Sequence, residues 1–335
     1  MADVAARAGV SRALVSIVFR DAPGASPQTR QRVRAAAAEL GYRPDQRAQL
    51  LSRSRTGLIG VAFGVRQAFH ADLVEALYVA AEDAGYDLVL SGVTPARGER
   101  TAVDALLAYR CEAVICLGPT LPVAELVALA RRLPTLVMAR RLRAPSVDVV
   151  RTDDVAGMRL AVRHLTELGH TRIAHIDGGS APGAADRRRG FRTAVRRAGL
   201  DDDLVVGGGL TEHDGILGAD RLMATHPGLT AIAAFNDRSA AGVLQALRAA
   251  GREVPADMSV IGFDDDRLAS LPHLDLTTVR QDATQLAGLA VRRLAERLEP
   301  GQDAGSVPTQ DVVVAPHLVV RATTAAPPGA VRPRR

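Results

Sequence analysis

From Leu58 onward the chain alternates two rhythms. Short apolar runs at Leu58 to Phe63, Asp87 to Leu90, Ala113 to Leu117 and Thr135 to Met138 read as strands, and the 3.6-residue periods at 70–84, 97–109 and 122–132 read as helices. Strand-like runs return at Arg172 to Asp177, Thr230 to Phe235 and Ser259 to Phe263, with helical periods between them. A repeated β-α series predicts an α/β fold of parallel sheets covered by helices on both faces. There is enough of it for two subdomains with a cleft between them.

The first fifty residues follow another pattern. Asp3-Val4-Ala5-Ala6-Arg7-Ala8 has helical spacing, Gly9-Val10 breaks it, and Ser11 can cap a second helix whose Val15, Val18 and Phe19 share an inward face. Two short helices joined by a glycine turn predict a helix-turn-helix. The outer face of the second helix carries Arg12, Ala13, Ser16 and Ile17 near its N-terminal end, the end a recognition helix presents to base edges in the major groove. A third helix is expected from Ser26 as N-cap and Pro27 at its first position, with Ala36, Ala37 and Leu40 turned toward the first two helices and Gly41 ending it.

Charge sharpens this division. Residues 1–55 hold ten arginines against Asp3, Asp21, Glu39 and Asp45, a formal +6, whereas the other 280 residues sum to −1. The positive excess sits on the head, which is where a phosphate-binding surface needs it. The chain has no lysine and no tryptophan. Length and a 47% apolar composition allow two or three domains with large cores. No apolar run is long enough to span a bilayer and no signal-peptide pattern opens the chain, so a cytoplasmic protein is expected. Cys111 and Cys116 stand five residues apart, which along a strand places them on opposite faces, so buried thiols are expected rather than a disulfide. The eight histidines lack metal-ligand spacing, and neither a metal nor a cofactor is implied.

Asp3-Val4-Ala5, Ala8-Gly9-Val10-Ser11, Val15-Ser16, Thr29-Arg30, Val33, Glu39-Leu40-Gly41-Tyr42 and Pro44 stand at the spacing of the lactose repressor/galactose repressor family of transcription factors. The resemblance continues over almost the whole chain. It implies a DNA-binding head at 1–43, a hinge helix at 44–56 and a body at 57–325 of the periplasmic-binding-protein type, followed by a disordered tail at 326–335. The body would divide into one subdomain at about 57–150 and 281–309 and another at about 151–280 and 310–325. In the family the hinge helix pairs with its dimer mate in the minor groove, so Leu51 would wedge between central base pairs, Ala48 would let the two helices approach, and Arg47 and Thr29 join the DNA contacts. The family usually has several residues before Asp3, including a capping threonine, where this chain has Met1-Ala2. The first helix is therefore expected to be poorly capped, at about 1 kcal/mol; either the true start lies upstream or the head binds DNA weakly.

Open parallel sheets bind ligands beyond the C-terminal ends of their strands. Phe69 and Asp72 follow the first strand of the body, Arg187 follows the strand ending at Asp177, Asn236 follows Phe235, and Asp264 follows Phe263. The resemblance adds that Arg187 opens an Arg-x-x-Gly-aromatic pattern, that Asn236-Asp237 and Asp264 match effector-binding positions, and that Gln281-Asp282 match a crossover pair. An arginine fork, an amide and a carboxylate suit a polyhydroxylated molecule such as a sugar. Ala139 stands where many sugar-binding members carry aspartate, and Arg140 and Arg141 follow it, which raises the expectation of an anionic effector such as a sugar phosphate. Asp265 and Asp266 are expected to cap a short helix, and the glycines at 57–60 and 178–183 to form turns, since neither has dinucleotide or Walker spacing.

The reading is a homodimeric repressor, not an enzyme, that binds a pseudo-palindromic operator under the control of a small-molecule effector. That effector could act as an inducer or as a corepressor. A solute-binding protein would share the large fold but need an export signal and no basic head; a sugar-processing enzyme would need a catalytic constellation, and no defensible spacing supplies one.

Overall fold

A computed structural model describes all residues except 20–21, 43–54, 145, 202–203, 300–306 and 329–335. The chain divides into two compact units, Met1–Thr56 and Gly57–Arg335.

In the first unit α1 (Ala2–Ala8) ends on Gly9, whose φ of 62° is the left-handed conformation that a Cβ disfavours. Met1 occupies its N-cap without a side-chain bond. Helix α2 (Arg12–Phe19) starts where the Ser11 hydroxyl accepts from the Leu14 N–H, and α3 (Pro27–Glu39) where the Ser26 hydroxyl accepts from the Thr29 N–H. Val4, Ala5, Ala8, Val15, Val18, Val33, Ala36 and Ala37 form the core. Leu40, expected to face inward, is instead 47% exposed. Helix α3 stops at Glu39, and the break in phase at its C-cap turns Leu40 outward while Tyr42 packs its ring 5.8 Å from that of Phe19. The expected hinge contacts Arg47, Ala48 and Leu51 lie outside the described residues.

The second unit holds two six-stranded sheets. The first lobe is ordered β11-β5-β4-β3-β1-β2, all parallel, from β1 (Leu58–Gly64), β2 (Asp87–Val93), β3 (Ala113–Leu117), β4 (Thr135–Met138), β5 (Asp148–Thr152) and β11 (Asp311–Val314). The second is ordered β12-β10-β9-β8-β6-β7, from β6 (Ile173–Asp177), β7 (Val205–Gly207), β8 (Ala231–Ala234), β9 (Ser259–Asp264), β10 (Thr278–Arg280) and β12 (His317–Val319), with only β12 antiparallel. β3, β4 and β8 are buried along their whole length because helices cover both faces, which is why they read as unbroken apolar runs.

In the first lobe α4 (Ala68–Asp83) and α11 (Ala283–Leu298) bury Leu73, Leu77, Leu286 and Leu294 on one face, and α5 (Glu99–Ala108) and α6 (Val123–Ala130) bury Val103, Leu106, Leu126 and Leu129 on the other. The second lobe repeats the plan with α7 (Asp154–Glu167) and α8 (Ala184–Arg197) on one face, and α9 (Glu212–Thr225) and α10 (Asp237–Ala249) on the other. Both cysteines are free and buried, with their thiols pushed up to about 11 at Cys111 and about 12 at Cys116 by desolvation. They share one core cluster rather than opposite faces, because Cys111 lies in the turn before β3 and the alternation of the strand does not reach it.

The chain passes between lobes after Thr152, after Arg280 and after Val314. The last passage was expected near residue 309. It falls later because Asp311–Val314 pairs with β5, fastened by a bidentate Arg151–Asp311 contact at 2.8 and 2.9 Å. Beyond it the Ala325 carbonyl accepts from His170 Nε2 at 2.8 Å and the Thr324 hydroxyl lies 2.9 Å from His164, so the body is anchored through residue 325.

Candidate functional site

Arg187, on the first turn of α8, lines a small cavity at the strand ends. The residue is 5% exposed, and its guanidinium lies between two rings, 3.6 Å from the centroid of Phe263 and 4.6 Å from that of Phe235. Nε–H donates to Asp154 at 2.8 Å, one terminal nitrogen to the Phe235 carbonyl at 2.6 Å, and the other to Asp264 at 3.3 Å. A buried guanidinium is tolerable only with this degree of pairing. These bonds use three of its five N–H groups.

Asp264 closes β9 at a φ of 114°, a conformation that favours glycine and is held here by its contacts. Its carboxylate accepts from Gln281 Nε2 at 2.7 Å and from Arg187. Desolvation pushes it up to about 7, against the pull of Arg187 and with the repulsion of Asp266. Burial likewise raises Asp154, and raises Asp237 well above the carboxylate range, helped by Asp264 and Asp266. Asp237 is fully buried and accepts from the Thr278 hydroxyl at 2.5 Å and the Asp266 N–H at 2.9 Å. Asn236 caps α10 through the Ser239 N–H at 2.8 Å, and its amide donates to the Leu210 carbonyl at 3.2 Å.

Of the residues expected at the site, Phe69, Arg187, Asn236, Asp264 and Gln281 line one small cavity of about 40 Å³ together. The structure does not bring two others to it. Asp72, one turn beyond Phe69, faces a neighbouring cavity of about 430 Å³ that shares Phe69 and Gln281 with the small one, and it sits 3.8 Å from Arg267. Arg140, which with Arg141 was expected to favour an anionic ligand, instead donates from one terminal nitrogen to the Pro119 and Leu121 carbonyls at 2.6 and 2.9 Å and so braces the loop after β3, while Arg141 lies 4.0 Å from Asp186. Asp265 and Asp266 do not cap a helix. Asp265 pairs with Arg280 and Arg321, each at 2.6 Å, and Asp266 caps a turn through the Leu268 N–H at 2.9 Å.

Sequence reasoning missed Gln67, His70 and Asp154, which also line the small cavity. His70 had no legible signal, because a lone histidine at the start of a helix carries no spacing. Its Nδ1 accepts from the Gly64 N–H at 3.1 Å, and burial pushes the imidazole down to about 4. Next to it opens a cleft of about 1010 Å³ between the lobes, lined in part by the glycines at 118, 178, 179, 208 and 209. Residues 178–182 of the run read as a turn form one wall of that cleft. Among the described residues no group of three or more His, Cys, Asp or Glu could hold a metal ion, and no helix is long and apolar enough to cross a membrane.

A helix-turn-helix unit with a basic sequence, together with a two-lobed body that carries a polar cavity at the strand ends, defines a class: DNA-binding regulators that respond to a small molecule. Comparison with known proteins gives the particular family. Residues 1–45 match the pattern of bacterial regulatory proteins, lacI family, and residues 162–324 that of a periplasmic binding protein-like domain. The HTH-type transcriptional regulator GalR of Salmonella typhimurium is 34% identical over 97% of this chain and 96% of its own. Among solved structures, a LacI transcriptional regulator from a Rhodococcus species is 52% identical over 80% of this chain and 98% of its own, with a TM-score of 0.76. The Lac repressor dimer bound to operator and the anti-inducer ONPF is 31% identical over 97% and 98%, with a TM-score of 0.84. The chain belongs to the lacI family and is a sequence-specific, DNA-binding transcriptional regulator.

Proposed function

We propose that this regulator is a homodimeric cytoplasmic repressor, acting by binding rather than catalysis, whose hold on a pseudo-palindromic operator is set by a polyhydroxylated effector at Arg187. The observation that carries the reading is the convergence of Phe69, Arg187, Asn236, Asp264 and Gln281 on one cavity. Arg12, Ala13, Ser16, Ile17 and Thr29 read the half-site. The Lac repressor, which this chain resembles over nearly its whole length, is solved as a dimer on operator. An effector shifts operator affinity only through differential affinity for two states of the body.

Genomic fragments selected on the purified protein at fixed, near-physiological salt and then footprinted test the reading. A protected pseudo-palindrome is expected, and its neighbouring genes nominate effectors. Binding that is only nonspecific and salt-sensitive would count against it. Arg187→Ala should retain operator binding and dimer formation while losing the effector response; a normal response would misplace the pocket.

A further inference from the structure

Arg140 and Arg141 are absent from the cavity at Arg187, and they line another. A cavity of about 530 Å³ opens where Thr120, Arg140 and Arg141 of the first lobe meet Ser180, Asp186 and Arg189 of the second. It shares no residue with the set Phe69, Arg187, Asn236, Asp264 and Gln281. It is a place of its own on the seam between the lobes.

Its charges do not balance. Three arginines and one aspartate line it, a formal surplus of two positive charges, whereas residues 56–335 as a whole sum to −1. Asp186 takes Arg189 at 2.9 Å and lies 4.0 Å from Arg141, beyond hydrogen-bond reach, so one carboxylate answers two guanidinium groups from opposite lobes. Arg141 donates no hydrogen bond to a described residue. Arg140 is clamped at one terminal nitrogen by the Pro119 and Leu121 carbonyls, which leaves its Nε–H and its other terminal nitrogen without an acceptor among the described residues. Arg238 and Arg267 also reach across the seam, and each of them is matched. Arg238 donates to the Arg66 carbonyl at 2.7 Å while forking onto Glu212 at 2.9 and 2.5 Å, and Arg267 pairs with Glu75. Like charges on opposite lobes repel, and an anion placed between them turns that repulsion into attraction.

Guanidinium forks suit the oxygens of phosphates and of carboxylates. The size of the surplus favours the phosphate, because a phosphate monoester carries about two negative charges near pH 7 and a single carboxylate one. The volume leaves room for the remainder of an ester.

We propose that this seam is a second ligand site, for a dianionic phosphate or phosphate monoester that Arg140 and Arg141 hold from one lobe and Arg189 from the other. It does not depend on the effector reading of Arg187. An anion gripped from both sides binds better when the lobes are close, so it acts on the equilibrium between two states of the body from a place outside the effector cavity. Equilibrium dialysis of the full-length protein against radiolabelled orthophosphate and glycerol phosphate, at near-physiological chloride and about pH 7.5, tests it. Saturable binding is expected, and the tighter of the two probes identifies the source as the free ion or an ester. The Arg141 and Arg189 side chains are 38% and 51% exposed, so replacing them leaves the core intact. Arg141→Gln and Arg189→Gln should each weaken binding about tenfold or more, the scale of a lost charge-assisted hydrogen bond. Arg132→Gln, at an exposed arginine outside the cavity, should leave it unchanged. Asp186→Asn should tighten it several-fold, because the carboxylate that competes for both arginines is gone. No saturable binding of either probe overturns the site. Binding that is saturable but indifferent to Arg141→Gln and Arg189→Gln belongs to the basic head or to Arg187 and overturns it as well, and a loss in only one of the two variants overturns the bridge between lobes.

Discussion

Burial decides the protonation of Asp264, and that gives the residue a signature in solution. Its carboxyl sits near 7 in the folded protein against about 3.9 in an unfolded chain. The folded state therefore binds the proton more tightly, and stability from this group is present below about pH 4 and lost as pH rises to about 7, the reverse of an aspartate whose partners lower its pKa. The whole difference is on the order of 2 to 4 kcal/mol. Asp264→Asn should remove this fall, so the variant gains on the parent as pH is raised from about 5 to 7 in urea denaturation of the body. A parallel pH dependence in the two proteins would remove Asp264 as its source. The placement of Asp264, Asn236 and Arg187 was legible because each follows a strand end and the topology rule applies to all three alike. Arg140 satisfied the same rule and still points elsewhere, because two backbone carbonyls left by the turn after β3 take one of its terminal nitrogens. No pattern in the sequence reports such a partner.

Elements with an unbroken apolar or helical pattern were legible, and strands interrupted by charged residues were not. Strands β1, β3, β4, β8 and β9 show as apolar runs because both faces are covered. Strands β5, β10, β11 and β12 do not: they lie at or next to sheet edges and include Asp148, Arg151, Arg280, Asp311 and His317, while β7 is a three-residue edge strand too short to show a run. Asp148 reads as a loop residue, yet it is 1% exposed because Arg293 reaches it from α11 at 2.9 Å and Arg297 also pairs with it. Helix contacts made through glycine were equally silent. Helices α9 and α10 meet where a Cβ on Gly215 would fall 2.0 Å from the Ser239 carbonyl oxygen and one on Gly242 would fall 1.9 Å from that of Glu212. The obstructing atoms are backbone and cannot turn aside. Gly242→Ala should therefore destabilise the body by about 3 kcal/mol or more despite the better helix propensity of alanine, because the two helices must separate. Thermal unfolding of the body measures this, and a variant as stable as the parent would mean that the helices slide apart at little cost.

Across the whole molecule, charge and recognition are divided between the units, and a single residue tests the division. The head carries a formal +6 and the rest −1, so the sequence-independent attraction to phosphates belongs to the head. Arg12, exposed at the first position of α2, is one of those charges and also stands where a recognition helix meets base edges. These two roles predict different outcomes when the guanidinium is removed. If Arg12 binds a phosphate, its removal weakens binding to every sequence by a similar factor and reduces the salt slope by about one. If it grips a guanine with both prongs of its fork, removal costs about 1 to 3 kcal/mol at one base pair and leaves binding elsewhere nearly as it was. We expect the second outcome. In competition binding at fixed salt, Arg12→Ala should lose roughly 5- to 150-fold against the selected operator, tolerate any base at one position of each half-site, and bind random DNA within a few-fold of the parent. A weakening that is uniform over operator and random DNA, with the base preference intact, would make Arg12 a phosphate ligand and move the readout to Ser16 and Ile17.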